Sequence, residues 1–360
     1  MDITVIAPDE LGAAESAAWR AMQEATPVLE SPFLSPEFAQ AVGNWRRGAR
    51  VAVLSEAAGP VGFFPFECRP FGLGLPIGSG VCDCQGLIHD PGLEWDPVGL
   101  LRSCRLTLWR YDHLTQEQTP FETGVELRTG SPVIDIWRGF DAYLSALAWS
   151  ANRTKRLRRA ERQLSDQVGD VRFVFDDHSP GSLEAFMRNK SAHYRAKGQV
   201  DLFSRPGTVA LLRELRSTKA ATCTGILSVL YAGDRPIAWL FGLRSRRLMH
   251  DWFSTYDPAA AHFSPGMLLR MKVAEAAASA GIERIDLGKG TEPFKNTIKT
   301  SDVPLAEGWV ERPTVAAKAR RAQMEAVTRL RSAATRRPVM RRAALKALDT
   351  LPRLQRVVSR

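Results

Sequence analysis

Hydrophobic and polar positions form their clearest pattern between residues 224 and 295. Large residues alternate with smaller ones from Ile237 to Leu243, which is the two-residue period of a strand. β-Rich runs at 224–231 and 248–254 lie on either side, and short polar turns separate them from it. The pattern therefore predicts three consecutive antiparallel strands.

A helix is predicted after the third strand. Ser264 stands at the N-cap position, Pro265 at the first helical position, and Gly281 at a typical C-terminal stop. Apolar residues recur between them at helical spacing. The run 285–288 is predicted as a strand parallel to 248–254, because connections through a helix are right-handed crossovers.

The start of this helix is a candidate anion site. Unpaired amides and the helix dipole favour phosphate, and Gly266 has no side chain to cover the first turn. Ser-Pro-Gly before a helix is common, so an ordinary capped helix is the alternative.

The first half of the chain predicts the same order of elements. Runs at 50–55 and 61–66 flank a Gly-Pro turn and predict a hairpin. A helix with Asp96 as its cap and Pro97 at its first position then leads into a strand at 106–109. The two halves share little identity, so the repeat is inferred from the order of elements alone.

Three runs of the second half carry a recognisable pattern. They are Trp-Phe-Ser-Thr-Tyr-Asp-Pro at 252–258, Phe-Ser-Pro-Gly-Met-Leu-Leu at 263–269, and Asp-Leu-Gly-Lys-Gly-Thr-Glu-Pro-Phe-Lys at 286–295. These runs resemble the GNAT acyltransferase superfamily, most strongly its two-domain CelD-type branch, which is associated with cellulose and exopolysaccharide synthesis; the FemAB aminoacyl transferases are related. The last run is similar to the branch's Asp-x-Gly-x-Gly-x-Glu-x-Tyr/Phe-Lys signature, whereas Ala-Ala-Ala-His-Phe at 259–263 stands where the superfamily usually has a Gly-rich pyrophosphate loop.

The resemblance implies a mixed α/β fold with tandem GNAT-like domains, each a mostly antiparallel sheet with flanking helices. The expected domains are a degenerate one at 1–150, an acyltransferase domain at 151–312 and a basic helical tail at 313–360. The implied function is N-acyl transfer from acetyl-CoA or another acyl-CoA. The implied acceptor is an amine on a small molecule, such as a sugar or polysaccharide precursor.

Acyl transfer requires positioned partners, a polarised carbonyl and removal of a proton from the amine. On a strand His250 and Asp251 point to opposite faces, and Asp251 is the preferred candidate because it shares a face with otherwise apolar residues, Met249 and Phe253. The proton-transfer candidates are Asp251, Tyr256, Glu292 and Lys295.

These candidates have structural alternatives. Asp251 could pair with Arg244, Arg246 or Arg247, and Glu292 with Lys295 could form a salt bridge that anchors the loop.

Further site residues follow from the resemblance. The implied acyl-CoA contacts are Phe253, Ser254, Phe263, Ser264, Gly266 and Met267. The implied acceptor contacts are His193, Tyr194 and Lys197 on a predicted helix that begins at Ser182, together with Trp252.

The net charge of +10 is concentrated in the tail. Residues 313–360 contain 13 Lys and Arg against 2 Asp and Glu, so the remainder has 36 basic and 37 acidic residues. The net charge of residues 1–312 is therefore near zero, which argues against a protein that binds nucleic acid over its whole surface. The tail is predicted as two helical segments broken at Pro338, either solvated or in contact with an anionic membrane surface or nucleic acid.

A second basic segment is the predicted helix at 152–162. It is either a solvated face or a rim that attracts an anionic substrate.

Composition points to a cytoplasmic protein, with peripheral contact with the inner face of a membrane as an option. The chain begins without a basic, apolar leader, and no apolar run reaches spanning length. Five cysteines without a pairing pattern indicate a reducing compartment. Cys82 and Cys84 lack a second Cys/His pair nearby, so no metal site is expected.

Two other functions stay open. One is FemAB-like transfer of an aminoacyl group from charged tRNA, with the basic segments contacting RNA. The other is a non-catalytic docking protein, which would follow if the protein's own side chains filled the amides at 263–267.

Overall fold

The computed structural model of the chain describes residues 1–147 and 151–335. The strands are β1 Asp2–Ile6, β2 Ala49–Glu56, β3 Gly59–Arg69, β4 Leu73–Pro76, β5 Ile88–His89, β6 Leu108–Leu114, β7 Val125–Asp135, β8 Val171–Val174, β9 Thr224–Ala232, β10 Arg235–Arg244, β11 Leu248–Tyr256, β12 Arg284–Asp286 and β13 Ser301–Glu311. The helices are α1 Ala13–Ala25, α2 Pro36–Gly43, α3 Pro97–Ser103, α4 Phe140–Ala146, α5 Ala151–Gln167, α6 Ser182–Ala196, α7 Pro206–Ser217, α8 Pro265–Ser279, α9 Pro293–Ile298 and α10 Val315–Thr335.

The chain divides into two compact units. The first comprises Met1–Ala25, Val42–Arg128 and the chain from Ala306 onward, and the second comprises Thr26–Ala41 and Thr129–Leu305. These boundaries differ from the expected 1–150 and 151–312, which followed chain order.

Hydrogen bonds explain the exchanged segments. The end of β13 belongs to the first unit because it pairs with β6. The segment Thr26–Ala41 belongs to the second unit, where Glu30 binds the Arg247 guanidinium at 3.0 Å and Glu37 accepts from the Thr222 hydroxyl at 2.8 Å.

The second unit contains the predicted meander. Strands β8 to β11 pair antiparallel in sequence order, β12 pairs parallel with β11, and β7 pairs antiparallel with β12. The helix that joins β11 to β12 begins at Pro265 and stops before Gly281, whose φ is +78°. The predictions for these elements are confirmed.

The core of the second unit lies between α8 and the meander. Leu269 and Ala274 of α8 are fully buried, together with Leu230 and Leu240 from the sheet and Met249 from β11. Removing such a side chain from water contributes roughly 1.5–3 kcal/mol for each large apolar residue. This packing fixes α8 against β11 and so places the start of the helix beside the end of the strand.

The first unit repeats the same plan. Strands β1, β2, β3 and β4 pair antiparallel in turn, and β4 pairs parallel with β6. The connection from β4 to β6 includes α3, whose cap Asp96 accepts from the amides of Val98 and Gly99 at 3.0 and 2.7 Å. Each unit thus joins a parallel strand pair through a helix, and the expected mixed α/β class with tandem GNAT-like units is confirmed.

Helix α10 packs on the first unit. Ala317 and Met324, seven residues apart, are buried, and Met324 lies in a cluster with Trp309 of β13. Ala319 and Ala322 of the same helix are exposed. The buried face of α10 is therefore the one that carries Ala317 and Met324. The predicted second tail segment, after Pro338, lies outside the described residues.

Among the helices of residues 1–147 and 151–335, none is both long and apolar enough to cross a membrane.

Candidate functional site

Strand β11 contains a bulge at Trp252. Phe241 of β10 lies opposite Phe253, and the next residue, Gly242, lies opposite Asp251, so Trp252 is an extra residue on β11. The bulge changes which side chains share a face. Phe253 does not share a face with Asp251, as strict alternation predicted, but packs edge-to-face on Phe203 with ring centroids 5.2 Å apart.

The parallel pairing of β11 with β12 is short. It joins Leu248–His250 to Arg284–Asp286 and ends there, while β11 continues for six more residues to Tyr256. Crevices beyond the carboxyl ends of neighbouring parallel strands are the usual ligand sites of α/β sheets. The end of β11 therefore lies where a ligand is expected.

Arg270 of α8 organises the charges at this end of β11. Its Nε donates to Asp251 Oδ2 at 2.7 Å, its Nη2 to Ser254 Oγ at 2.6 Å and its Nη1 to the Gly266 carbonyl at 3.2 Å. Its guanidinium lies 4.1 Å from the centroid of the Phe294 ring. A buried carboxylate needs such a partner, and Asp251 is only 9% exposed.

The partner of Asp251 was not anticipated from the sequence. The alternatives Arg244, Arg246 and Arg247 were wrong, because those residues precede β11 and the side chain of Asp251 points to α8. One signal could have found Arg270. It stands four residues after Gly266 and so lies on the same face of the helix as the bare first turn.

Lys190 of α6 approaches β11 from another element. Its Nζ donates to the Ser254 carbonyl at 2.9 Å and lies 4.7 Å from the centroid of the Tyr194 ring. Sequence reasoning missed this residue, although it stands three and four residues before the candidates His193 and Tyr194 on the same helix.

The pKa of Lys190 is lowered to about 8. Burial is the main cause, and the positive charges of Arg270 and Lys197 lower it further, while Asp251 and Glu292 oppose the shift. Titratable groups with such perturbed values concentrate at functional sites.

His193 and Tyr256 lie beside this cluster, with ring centroids 6.1 Å apart. Burial lowers the pKa of His193, and the charges of Lys197 and Lys190 lower it further, so the neutral imidazole is favoured near pH 7. Lys197 itself is exposed at the end of α6.

The signature loop, defined as residues 286–295, is anchored by Lys295. This buried amine donates to the carbonyls of Gly288 at 2.9 Å and Lys289 at 3.3 Å, and it pairs with Glu292 at 3.0 Å. Partial burial raises the pKa of Glu292, but the hydrogen bond from Lys295 and the charges of Lys295 and Arg270 lower it overall. The alternative interpretation, an anchoring salt bridge, is what the contacts display, and a catalytic role for either residue stays a prediction.

The start of α8 differs in detail from the prediction. Ser264 has a left-handed backbone, with φ 54°, and its side chain makes no capping hydrogen bond. Its carbonyl oxygen instead accepts from the amides of Met267 and Leu268 at 3.0 and 3.1 Å. The expectation of uncovered amides was therefore wrong for Met267, whose amide is used within the turn.

The other candidates at this helix start have mixed environments. Phe263 is buried in the apolar core and Met267 packs against it, so their side chains stabilise the fold. Ser264 is exposed, and a Cβ added to Gly266 would lie 3.5 Å from Arg270 Nη1 and 3.7 Å from Tyr256 Cδ1. Because Gly266 has no side chain, there is room for about one carbon atom between the start of α8 and the side chains of Arg270 and Tyr256.

Trp252 is not brought to this site. It is 8% exposed and packs against Phe33, Phe241 and Phe253, with ring centroids 5.3, 6.1 and 4.8 Å away. The segment Thr26–Ala41 supplies Phe33, which packs on the indole, so the contacts of Trp252 are those of a core residue, and a role as an acceptor contact stays a prediction.

A buried polar network supports β12 from the opposite face. His250 Nε2 lies 3.0 Å from Ser31 Oγ, and its Nδ1 lies 3.9 Å from Asp286 Oδ2. Asp286 also accepts from the Ser131 hydroxyl and from the Gly288 amide at 2.7 Å. Asp286 thus holds the first turn of the signature loop.

A cavity of about 410 Å³ lies along the other side of that loop. It contains none of the predicted site residues. Its lining is Thr129, Gly130, Pro132, Gly290, Thr291, Asn296, Lys299, Asp302 and Pro304.

Within the described ranges, no group of three or more His, Cys, Asp or Glu side chains is arranged to hold a metal ion. Cys82 Sγ donates to the Cys84 carbonyl at 2.9 Å, and burial raises the pKa of the Cys82 thiol well above its usual range. The Cys82 thiol is therefore a protonated, buried group.

Residues 151–296 match the family model described as Acetyltransferase (GNAT) domain. The matched part of the chain contains β11, α8 and the signature loop. A search of curated protein sequences finds no match.

Solved structures share the fold over most of the chain. FemX aligns with a TM-score of 0.56 and 9% identity, over 86% of this chain and 96% of that chain. A conserved protein of unknown function from Bacteroides thetaiotaomicron aligns with a TM-score of 0.53 and 9% identity, over 86% and 98% of the two chains. The C-terminal domain of a protein assigned as a lysylphosphatidylglycerol synthetase from Agrobacterium fabrum aligns with a TM-score of 0.50 and 12% identity, over 84% and 95%. At these identities the similarity concerns the fold.

Proposed function

We propose that this protein transfers an acyl group from an acyl-CoA to an amine at the end of β11. The observation that carries the proposal is the arrangement of β11 within the GNAT domain. Its pairing with β12 ends at His250, and the bulged continuation to Tyr256 contacts the first two turns of α8 through Arg270. This arrangement combines a crevice between parallel strands with a helix N-terminus and paired charges.

The residues at the start of α8 fit the phosphates of coenzyme A. Ser264 is exposed with its hydroxyl unused for capping, and Gly266 presents no side chain. The N-terminal end of a helix stabilises an anion, and the guanidinium of Arg270, which is paired with Asp251, lies one turn further along the helix. The acyl thioester would supply the activated carbonyl.

Two side chains of α6, those of His193 and Lys190, would position the acceptor. His193 and Lys190 reach toward the end of β11, and the lowered pKa of His193 leaves its imidazole uncharged near pH 7. A neutral ring beside Tyr256 can accept or donate a hydrogen bond without repelling an ammonium group. We propose acetyl-CoA as the donor and an amine on a sugar or polysaccharide precursor as the acceptor, following the CelD-type resemblance.

The docking alternative required side chains over the amides at 263–267. The Ser264 and Met267 amides donate to the backbone carbonyls of Ala261 and Ser264, and the Ser264 side chain does not cap the helix. The condition for the docking alternative is therefore not met at these two amides.

Isothermal titration with acetyl-CoA and with free coenzyme A tests the donor. We expect micromolar binding that weakens about tenfold in Ser264→Asp, because a carboxylate there repels phosphate. Ser145→Asp, which adds the same charge at an exposed position of α4, is the control and should bind normally. No binding at millimolar ligand would reject acyl-CoA as donor and would make charged tRNA the next donor to test. If binding occurs, thiol release against a panel of amino sugars and simple amines identifies the acceptor.

A further inference from the structure

Lys190 connects two elements at the centre of the candidate site. The amine extends from α6 to the Ser254 carbonyl at 2.9 Å, and Arg270 reaches the hydroxyl of the same serine from α8 at 2.6 Å. Ser254 stands two residues beyond the bulge, on the stretch of β11 that has no partner in β12. The amine is therefore held at the end of the strand crevice and on the side from which α6 would present an acceptor.

The charges around this amine come from every neighbouring element. Asp251 faces it from β11, Arg270 from α8, Glu292 from the loop before α9, and Lys197 and His193 from its own helix. Burial disfavours the protonated form of Lys190, and the positive charges of Arg270 and Lys197 disfavour it further. The carboxylates of Asp251 and Glu292 offset these effects only in part. A pKa of about 8 leaves roughly a tenth of the amine neutral at pH 7 and about half at pH 8.

The two carboxylates near Lys190, those of Asp251 and Glu292, are less available as bases. Asp251 already has Oδ2 engaged by Arg270 at 2.7 Å, and Glu292 is bound by Lys295 at 3.0 Å, with a lowered pKa. A carboxylate stabilised in its charged form is a weak proton acceptor. Lys190 is held by a carbonyl, which leaves the nitrogen lone pair of its neutral form unused.

We infer that Lys190 is the general base of the acyl transfer. Its neutral amine takes a proton from the acceptor nitrogen as the new C–N bond forms and the thioester C–S bond breaks. The resulting ammonium returns that proton to the leaving thiolate, so the products are an amide and a thiol. This inference rests on the proposed function.

The test compares Lys190→Arg and Lys190→Met with the wild type over pH 6 to 9.5, following thiol release with acetyl-CoA and the acceptor found in the screen. Arginine retains a positive charge that can reach the Ser254 carbonyl but cannot release its proton in this range. The matched control is Lys219→Arg, an exposed lysine after α7. Calorimetry of acetyl-CoA binding accompanies each variant.

We expect wild-type kcat/KM to rise with pH through about 8, following deprotonation of Lys190. Both Lys190 variants should lose on the order of 100-fold or more and should no longer show this rise, while acetyl-CoA binding stays within about threefold. Lys219→Arg should match the wild type.

Two other outcomes overturn the inference in distinguishable ways. If the wild type is active and Lys190→Arg keeps both its rate and the rise near pH 8, Lys190 is a structural tie and acyl transfer still stands. If the wild type binds no acyl-CoA and releases no thiol with any acceptor, the proposed function fails and the base role fails with it. Competitive acetic anhydride labelling, read by peptide mass spectrometry, checks the amine independently of substrate. Half-labelling of Lys190 near pH 10 instead of pH 8 would contradict the inference.

Discussion

Arg270 Nε donates to Asp251 Oδ2 at 2.7 Å, and this contact joins α8 to the bulged part of β11. Both side chains are largely shielded from water, with 12% and 4% of their side-chain surface exposed. Because the same guanidinium also holds Ser254, one residue sets the separation between the start of the helix and the end of the strand.

Removing Arg270 should destabilise the protein strongly. Arg270→Met leaves the Asp251 carboxylate buried without its partner, which costs about 3 kcal/mol in comparable cases. Adding Asp251→Asn should recover part of this loss. Urea unfolding measures the effect, and Arg128→Ala, which removes an exposed pair with Glu122, should change stability far less than Arg270→Met does. Equal losses of stability in Arg270→Met and Arg128→Ala would show that the buried Arg270–Asp251 pair contributes no more than the exposed one.

Lys190 should make stability depend on pH. Its pKa is lowered on folding, so the unfolded chain binds more protons than the folded chain between about pH 8 and its usual value near 10.5. Wild-type stability should therefore gain a contribution as pH rises through this window, and Lys190→Met should lack it. The measurement is urea unfolding of both proteins at pH 7 and pH 10. A stability difference between them that does not change with pH would contradict the lowered pKa.

Trp252 should matter for folding more than for binding. Trp252→Ala removes a buried indole from an aromatic cluster and should cost about 3–5 kcal/mol. Trp137→Ala, at a site 62% exposed, should cost under about 1 kcal/mol. Thermal unfolding checks both. If Trp252→Ala keeps full stability but loses acceptor turnover, the structural role assigned to the indole is wrong.

Gly266→Ala separates stability from donor binding. The new methyl group would meet its neighbours at 3.5 and 3.7 Å, which is ordinary contact, so folding stability should stay level or rise by a few tenths of a kcal/mol. Acetyl-CoA affinity should fall several-fold, because the methyl group occupies the space over the first turn. Gly281→Ala, at φ +78°, should show the reverse, with a loss near 1 kcal/mol and unchanged affinity. Unfolding and calorimetry on both variants give the comparison.

Local sequence patterns are enough to predict the elements of the second unit. The meander from 224 to 256, the helix that begins at Pro265 and stops before Gly281, and the parallel strand after it all follow from alternation, capping and crossover rules. These rules act over a few residues, and so one chain is enough to apply them. The opposite orientations of His250 and Asp251 also followed from strand geometry, because both precede the bulge.

How these elements combine into a site depends on contacts between segments that are distant along the chain. Because of the bulge at Trp252, every later side chain of β11 lies on the opposite face of the sheet from the one that strict alternation predicts. No local sequence pattern indicates this bulge. The pairing of Asp251 with Arg270, the approach of Lys190 to Ser254 and the transfer of Thr26–Ala41 to the second unit all join residues distant along the chain. Such contacts depend on packing and burial, which the order of residues alone does not display.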